Sequence, residues 1–225
     1  MSLPAESVMT LTVRAVLFDM DGTLVDSTAI VEQVWSEFAG RYGLDIDQIL
    51  RTSHGIQARD TVRRFAPAGA DIDALVDELG EMERTRIAGI VALPGAAALL
   101  RSLPADAVAL VTSADRILAG VRMQAAGLEM PATAVTSEAV TRGKPHPEGY
   151  LRAAALLGVD PIDALVFEDA PAGIAAGLAA GIRTIAVGSK TGELPDGVPQ
   201  IPDYSSVSAT VGHDEDGRRT ISFRL

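Results

Sequence analysis

The chain has 225 residues, of which 48% are hydrophobic, 22% charged and only 4% aromatic. That suffices for one large domain, or a domain carrying a smaller insert, with a mainly aliphatic core; it excludes intrinsic disorder, collagen-like repeats and a disulfide scaffold. A net charge of -11 argues against nucleic acid or an anionic membrane surface as partner, and the lack of cysteine removes thiol chemistry and thiolate metal sites.

Met1 to Thr10 lack the basic and apolar regions of a signal peptide, and no apolar run reaches the roughly 20 residues of a membrane span. A cytoplasmic protein is expected. Residues 13–18 form a β-branched, apolar run that ends in Asp19, Met20, Asp21 and Gly22, which reads as a buried strand followed by a turn. Three similar runs follow at 107–112, 164–167 and 182–187. Helical patterns lie between them at 95–103, 115–126, 147–157 and 171–180, and Gly127, Gly158 and Gly181 stand where helix C-caps are expected. Strands alternating with helices predict an α/β fold, a Rossmann-like parallel sheet covered on both faces.

The alternation fails from 28 to 90. Amphipathic stretches at 30–42, 57–65 and 72–87, punctuated by Gly43, Pro67 and Gly69, predict a helical cap insert there. The catalytic core is then expected over 11–27 and 91–225, with the insert at 28–90. The tail, 208–225, predicts a hairpin that turns at 214–217.

Polar residues collect at the strand ends, where open α/β sheets bind ligands. Asp19 and Asp21 follow the first strand, Thr112 and Ser113 the second, and Glu168 and Asp169 the third, with Lys144 on a loop before a helix. Taken singly, each has an ordinary reading as a turn, a cap or a solvated charge. Together they suit phosphate chemistry. Clustered carboxylates call for a hard cation such as Mg²⁺, while hydroxyls and an ammonium can hold phosphate oxygens. One carboxylate can attack phosphorus while another moves the proton. A calcium loop of the EF-hand type does not fit: its fifth, sixth and twelfth positions fall on Thr23, Leu24 and Ile30.

The stretch FDMDGTLVDS at 18–27 resembles the first motif of the haloacid dehalogenase superfamily. LVTS at 110–113, GKPHP at 143–147 and VFEDAPAG at 166–173 are similar to its second, third and fourth. The resemblance implies a Rossmann-like core with a helical cap. It makes Asp19 the nucleophile and Asp21 the general acid/base, with Thr112, Ser113 and Lys144 on the phosphate. Mg²⁺ falls to Asp19, the Asp21 backbone carbonyl and Asp169, with Glu168 close by. Asp21 itself favours phosphate over carbon–halogen chemistry.

Within the superfamily, SHG at 53–55, Asp60 and FAP at 65–67 are similar to the glycerol-3-phosphatase and 2-deoxyglucose-6-phosphatase group. This implies a small sugar or polyol phosphate as partner; a monomer is expected. That group typically carries Arg where this chain has Gln57, so His54, Gln57 and Arg59 are the expected cap contacts to substrate. Trp35 reads as a core residue. A phosphosugar mutase and a phosphoglycolate phosphatase are the alternatives; Ala58, where such mutases carry Arg, disfavours the first. A phosphorylatable receiver module would share the acidic residues, Thr/Ser and Lys, but has no insert of this kind.

Overall fold

The computed structural model describes residues 9–189 and 191–225, so the reading of Met1 to Thr10 falls mostly outside the described residues. The strands are β1 (Thr10–Val13), β2 (Ala15–Phe18), β3 (Val25–Asp26), β4 (Val91–Ala92), β5 (Val108–Val111), β6 (Thr133–Val135), β7 (Ala164–Glu168), β8 (Arg183–Val187), β9 (Gln200–Ile201), β10 (Ser208–His213) and β11 (Arg219–Arg224). The helices are α1 (Thr28–Tyr42), α2 (Ile46–Ser53), α3 (Ala58–Phe65), α4 (Ile72–Thr85), α5 (Ala96–Ser102), α6 (Arg116–Ala125), α7 (Glu148–Leu156) and α8 (Pro171–Ala179).

The central sheet runs β6-β5-β2-β7-β8-β9, and every pairing in it is parallel. Alternate residues of each strand enter opposite layers, which is why the strands read as unbroken apolar runs. Val16, Phe18, Leu110 and Phe167 join the layer that holds α5 and α6. Leu17, Ala109, Val111 and Val166 join the layer with α7 and α8. The Phe18 and Phe167 rings stack at 5.2 Å directly beneath the residues that leave these two strands.

The run at 13–18 is two strands. Val13 belongs to β1, which pairs antiparallel with β11, and Ala15 begins β2. Arg14 separates them because its guanidinium pairs with Asp163 at 3.3 Å and Asp214 at 2.7 Å, outside both apolar layers. The expected tail hairpin is β10 and β11; its turn follows Asp214, and β1 extends it to three strands.

Four helices, α1 to α4, lie between β3 and β4, and no strand of the described residues falls within 28–90. The reading of the residues missed α2. Its signal was present: Asp45 accepts from the amides of Asp47 and Gln48 at 2.9 and 3.3 Å, an N-cap followed three residues on by Gln. Strands β3 and β4 were also missed. They pair antiparallel, Val25 with Ala92 and Asp26 with Val91, and tie the two ends of the helical segment together. Trp35 is buried and meets Phe38 edge-on at 5.7 Å, as expected of a core residue. No helix among the described residues is long and apolar enough to cross a membrane.

Candidate active site

The C-terminal ends of β2, β5 and β7 deliver the motif residues to one place. Asp19 leaves β2, its amide donating to the Phe167 carbonyl at 3.0 Å. Thr112 and Ser113 leave β5, and Glu168 and Asp169 end β7. Carboxylate oxygens of Asp19, Glu168 and Asp169, all buried, lie within 4.8 Å of one another.

Lys144 reaches this cluster from the loop before α7. Its Nζ donates to Asp19 Oδ1 and, at 2.6 Å, to Glu168 Oε1, and it sits 5.3 Å from the centre of the Tyr150 ring. The loop is held by Glu148, which accepts from the Thr141 and Arg142 amides and the Thr141 hydroxyl. Glu168 is held on both oxygens: Oε1 also accepts from Tyr150 Oη at 3.2 Å, and Oε2 accepts from the Ala170 amide at 2.7 Å.

Two glycines give these carboxylates room. A Cβ on Gly22, whose φ is +84°, would stand 2.0 Å from Asp169 Oδ2; one on Gly173 would stand 1.5 Å from Glu168 Oε1.

The electrostatics favour a cation. Burial, then the neighbouring Glu168 and Asp21 charges, push Asp19 up to about 8, against the pull of Lys144. Burial, then the Glu168 and Asp19 charges, raise Asp169 well above the ordinary aspartate range. One ammonium, paired with Asp19 and Glu168, serves a cluster of three carboxylates, and Asp169 accepts from the Thr23 hydroxyl at 3.3 Å. The all-oxygen donor set and the excess of negative charge fit a hard divalent ion.

The Asp21 carboxylate stands outside that cluster. Oδ1 accepts from Ser27 Oγ at 2.6 Å, and Oδ2 accepts from Arg122 Nη1 at 2.6 Å. Arg122, Glu83 and Tyr150 carry no motif signal, and Ser27, which closes the first motif, shows no sign there of its bond to Asp21; only the folded chain brings them to the site.

The cavity above the strand ends has a volume of about 870 Å³ and is lined by Asp19, Asp21, Thr112, Ser113 and Asp169 from the sheet and by His54, Gln57 and Arg59 from the helical segment. Lys144 and Glu168 do not line it; Lys144 meets it through its bond to Asp19. The segment touches the sheet layer here. Ser113 Oγ donates to the Gly55 carbonyl at 2.7 Å, and the Gln57 side chain lies against Gly143. Thr112 Oγ1 accepts from the Ala114 amide at 3.1 Å, and Arg59 pairs with Asp73 at the cavity edge.

Residues 13–181 match the family model described as haloacid dehalogenase-like hydrolase. Hexitol phosphatase A of Escherichia coli is 47% identical over 178 residues, covering 77% of this chain and 82% of the relative. Glycerol-1-phosphate phosphohydrolase 1 of Saccharomyces cerevisiae is 34% identical over 190 residues, covering 80% and 76%. The solved structure of CbbY from Rhodobacter sphaeroides in complex with phosphate superposes with a TM-score of 0.74 at 23% identity over 86% of this chain and 95% of that one, a likeness of fold. The four motifs, the parallel sheet that delivers them and the matched span agree: this chain belongs to the haloacid dehalogenase-like hydrolase family.

Proposed function

We propose that the protein is a Mg²⁺-dependent phosphatase of small sugar or polyol phosphates, acting as a cytoplasmic monomer, with 28–90 serving as a cap over the sheet. The observation that carries this reading is the buried trio Asp19, Glu168 and Asp169 bridged by Lys144 at the strand ends. The names of the relatives, a hexitol phosphatase and a glycerol-1-phosphate phosphohydrolase, support the substrate class.

Asp19, the backbone carbonyl of Asp21 and Asp169 would hold the ion, with Glu168 beside it. When bound, Mg²⁺ supplies positive charge that offsets the carboxylates and the incoming phosphate. Asp19 attacks phosphorus as the bond to the bridging oxygen breaks, and Asp21 gives that oxygen its proton, releasing an alcohol. Water then attacks the aspartyl-phosphate, Asp21 takes its proton, and the Asp19–phosphorus bond breaks to release inorganic phosphate. Lys144 holds a phosphate oxygen, and its pairing with Glu168 fixes the ammonium. Thr112 and Ser113 line the phosphate end, where the Ser113 hydroxyl also closes onto Gly55.

The cavity wall also carries Asp26, Asp77, Glu83, Asp115 and Glu138 beside Arg59 and Arg122. An acidic wall accepts hydrogen bonds from hydroxyls and repels a second phosphate or a carboxylate. That favours a neutral polyol over the bisphosphate of a mutase or over phosphoglycolate.

The test is phosphate release from a panel of hexitol, glycerol, hexose, bisphosphate and glycolate phosphates, repeated on His54→Ala and Gln57→Ala. Polyol phosphates should lead, and the variants should shift relative kcat/KM among them by about 5- to 100-fold. Preference for phosphoglycolate or a bisphosphate refutes the substrate class. A uniform fall on every substrate removes the two cap residues from recognition.

A further inference from the structure

The Asp21 carboxylate is clamped on both oxygens, and both clamps lead to the cap. Ser27, on Oδ1, immediately precedes the first cap helix α1. Arg122, on Oδ2, belongs to the core helix α6, but its Nη2 lies 3.3 Å from Oε1 of Glu83 on the last cap helix α4. Arg122 is 3% exposed, and among the described residues its Nε and Nη2 find no hydrogen-bond partner. A guanidinium so poorly supplied is kept in the interior by the two carboxylates that converge on it. One of them comes from the core and one from the cap.

A second crossing adjoins the first in the opposite sense. Arg84 of α4 donates to Asp115 at 3.1 Å, and Asp115 also caps α6 through the Leu118 amide at 2.8 Å. Helices α4 and α6 are thus latched twice, and one latch ends on Asp21.

We propose that Arg122 is the positioning residue of Asp21, and that its ion pair with Glu83 makes that position depend on the cap being docked. The proposal rests on the reading of Asp21 as the group that moves the proton. With the cap down, Glu83 and Asp21 share one guanidinium and the carboxylate faces the cavity in one orientation. With the cap raised, Glu83 withdraws, Arg122 loses half of its charge compensation, and Asp21 is no longer fixed. Proton delivery is thereby confined to the state in which the site is covered.

The kinetic signature is specific. An alkoxide leaves phosphorus only with a proton, whereas nitrophenolate leaves without one. Arg122→Met should lower kcat on glycerol phosphate about 10-fold or more while KM moves less than about threefold. On para-nitrophenyl phosphate, the first burst of nitrophenolate should keep its rate, and the later turnovers, which need Asp21 as base, should slow. Glu83→Gln should give a smaller loss with the same split. In an Asp21→Asn background, Arg122→Met should cost less than about twofold further, because both changes disable one step.

An Arg122→Met loss that adds in full to that of Asp21→Asn overturns the proposal, as does an equal slowing of the nitrophenolate burst or an unchanged kcat on glycerol phosphate. If Asp21→Asn retains full activity, the acid/base reading itself falls and the proposal falls with it. Should Arg122→Met fail to fold, Arg122→Met combined with Glu83→Leu removes both cap-linked charges together and is read by the same criteria.

Discussion

Alanine for glycine inside a helix normally stabilises a protein by up to about 1 kcal/mol. Gly173→Ala, in the first turn of α8, should do the opposite. The added methyl would stand 1.5 Å from Glu168 Oε1 and 2.0 Å from the carboxyl carbon, so Oε1 must retreat by about 2 Å to reach ordinary contact. That breaks its bonds to Lys144 at 2.6 Å and Tyr150 at 3.2 Å and strains the bond that Oε2 accepts from the Ala170 amide. A buried polar group left without a partner costs about 1–3 kcal/mol, more where charge is involved, so about 3–5 kcal/mol is lost against at most 1 gained. A net destabilisation of about 2–4 kcal/mol is expected. Turnover should fall at least about 10-fold, because Lys144 is freed from its anchor. The control lies in the same chain. A methyl added at Gly120 in α6 would meet nothing within 4 Å, and Gly120→Ala should stabilise without touching turnover. Urea unfolding of both variants, with kcat on a polyol phosphate, decides the matter. Gly173→Ala behaving like Gly120→Ala would refute the close packing of Glu168 against α8.

Asp19→Asn should retain the fold and reduce turnover to background, while Asp21→Asn should lose about 10²-fold or more; a tenth of wild-type activity in Asp19→Asn would end the covalent mechanism. Lys144→Ala should lower kcat/KM by roughly 10²-fold, about 3 kcal/mol, and unchanged kinetics would return Lys144 to a structural role. Activity should vanish in chelator and return with Mg²⁺. Without the ion, the folded protein holds a proton on Asp19 that the unfolded chain gives up above about 4, so this group's contribution to stability is lost as pH rises from about 4 to about 8. Mg²⁺ competes with that proton, so it should raise Tm more at pH 8 than at pH 5; an equal or reversed shift in a melting experiment refutes the assignment.

The candidate site was legible because its residues are placed locally. Asp19, Asp21, Lys144, Glu168 and Asp169 each stand within a few residues of a strand end or loop, and the alternation of apolar runs with helices fixes where strand ends lie. Strand β6 escaped because three residues at a sheet edge, Thr133–Val135, carry no period of their own. The split at Arg14 depends on Asp163 and Asp214, which come from distant parts of the chain. The same reason hides Arg122 and Glu83. Neither shows any local sign of its partner, and the ion pair exists only because α4 is brought down on α6.

The short ribbon of β3 and β4 places the two ends of 28–90 on adjacent strands, roughly 5 Å apart. A segment that departs and returns at one point is, to the rest of the chain, a loop of fixed span. Closing such a loop costs only about 0.6 kcal/mol more for each doubling of its length. The parallel sheet can therefore carry a longer, shorter or quite different segment at this point while the ribbon holds. On the proposed reading, in which the strand ends carry the chemistry and the segment between Asp26 and Val91 reads the leaving group, the two are free to change at different rates.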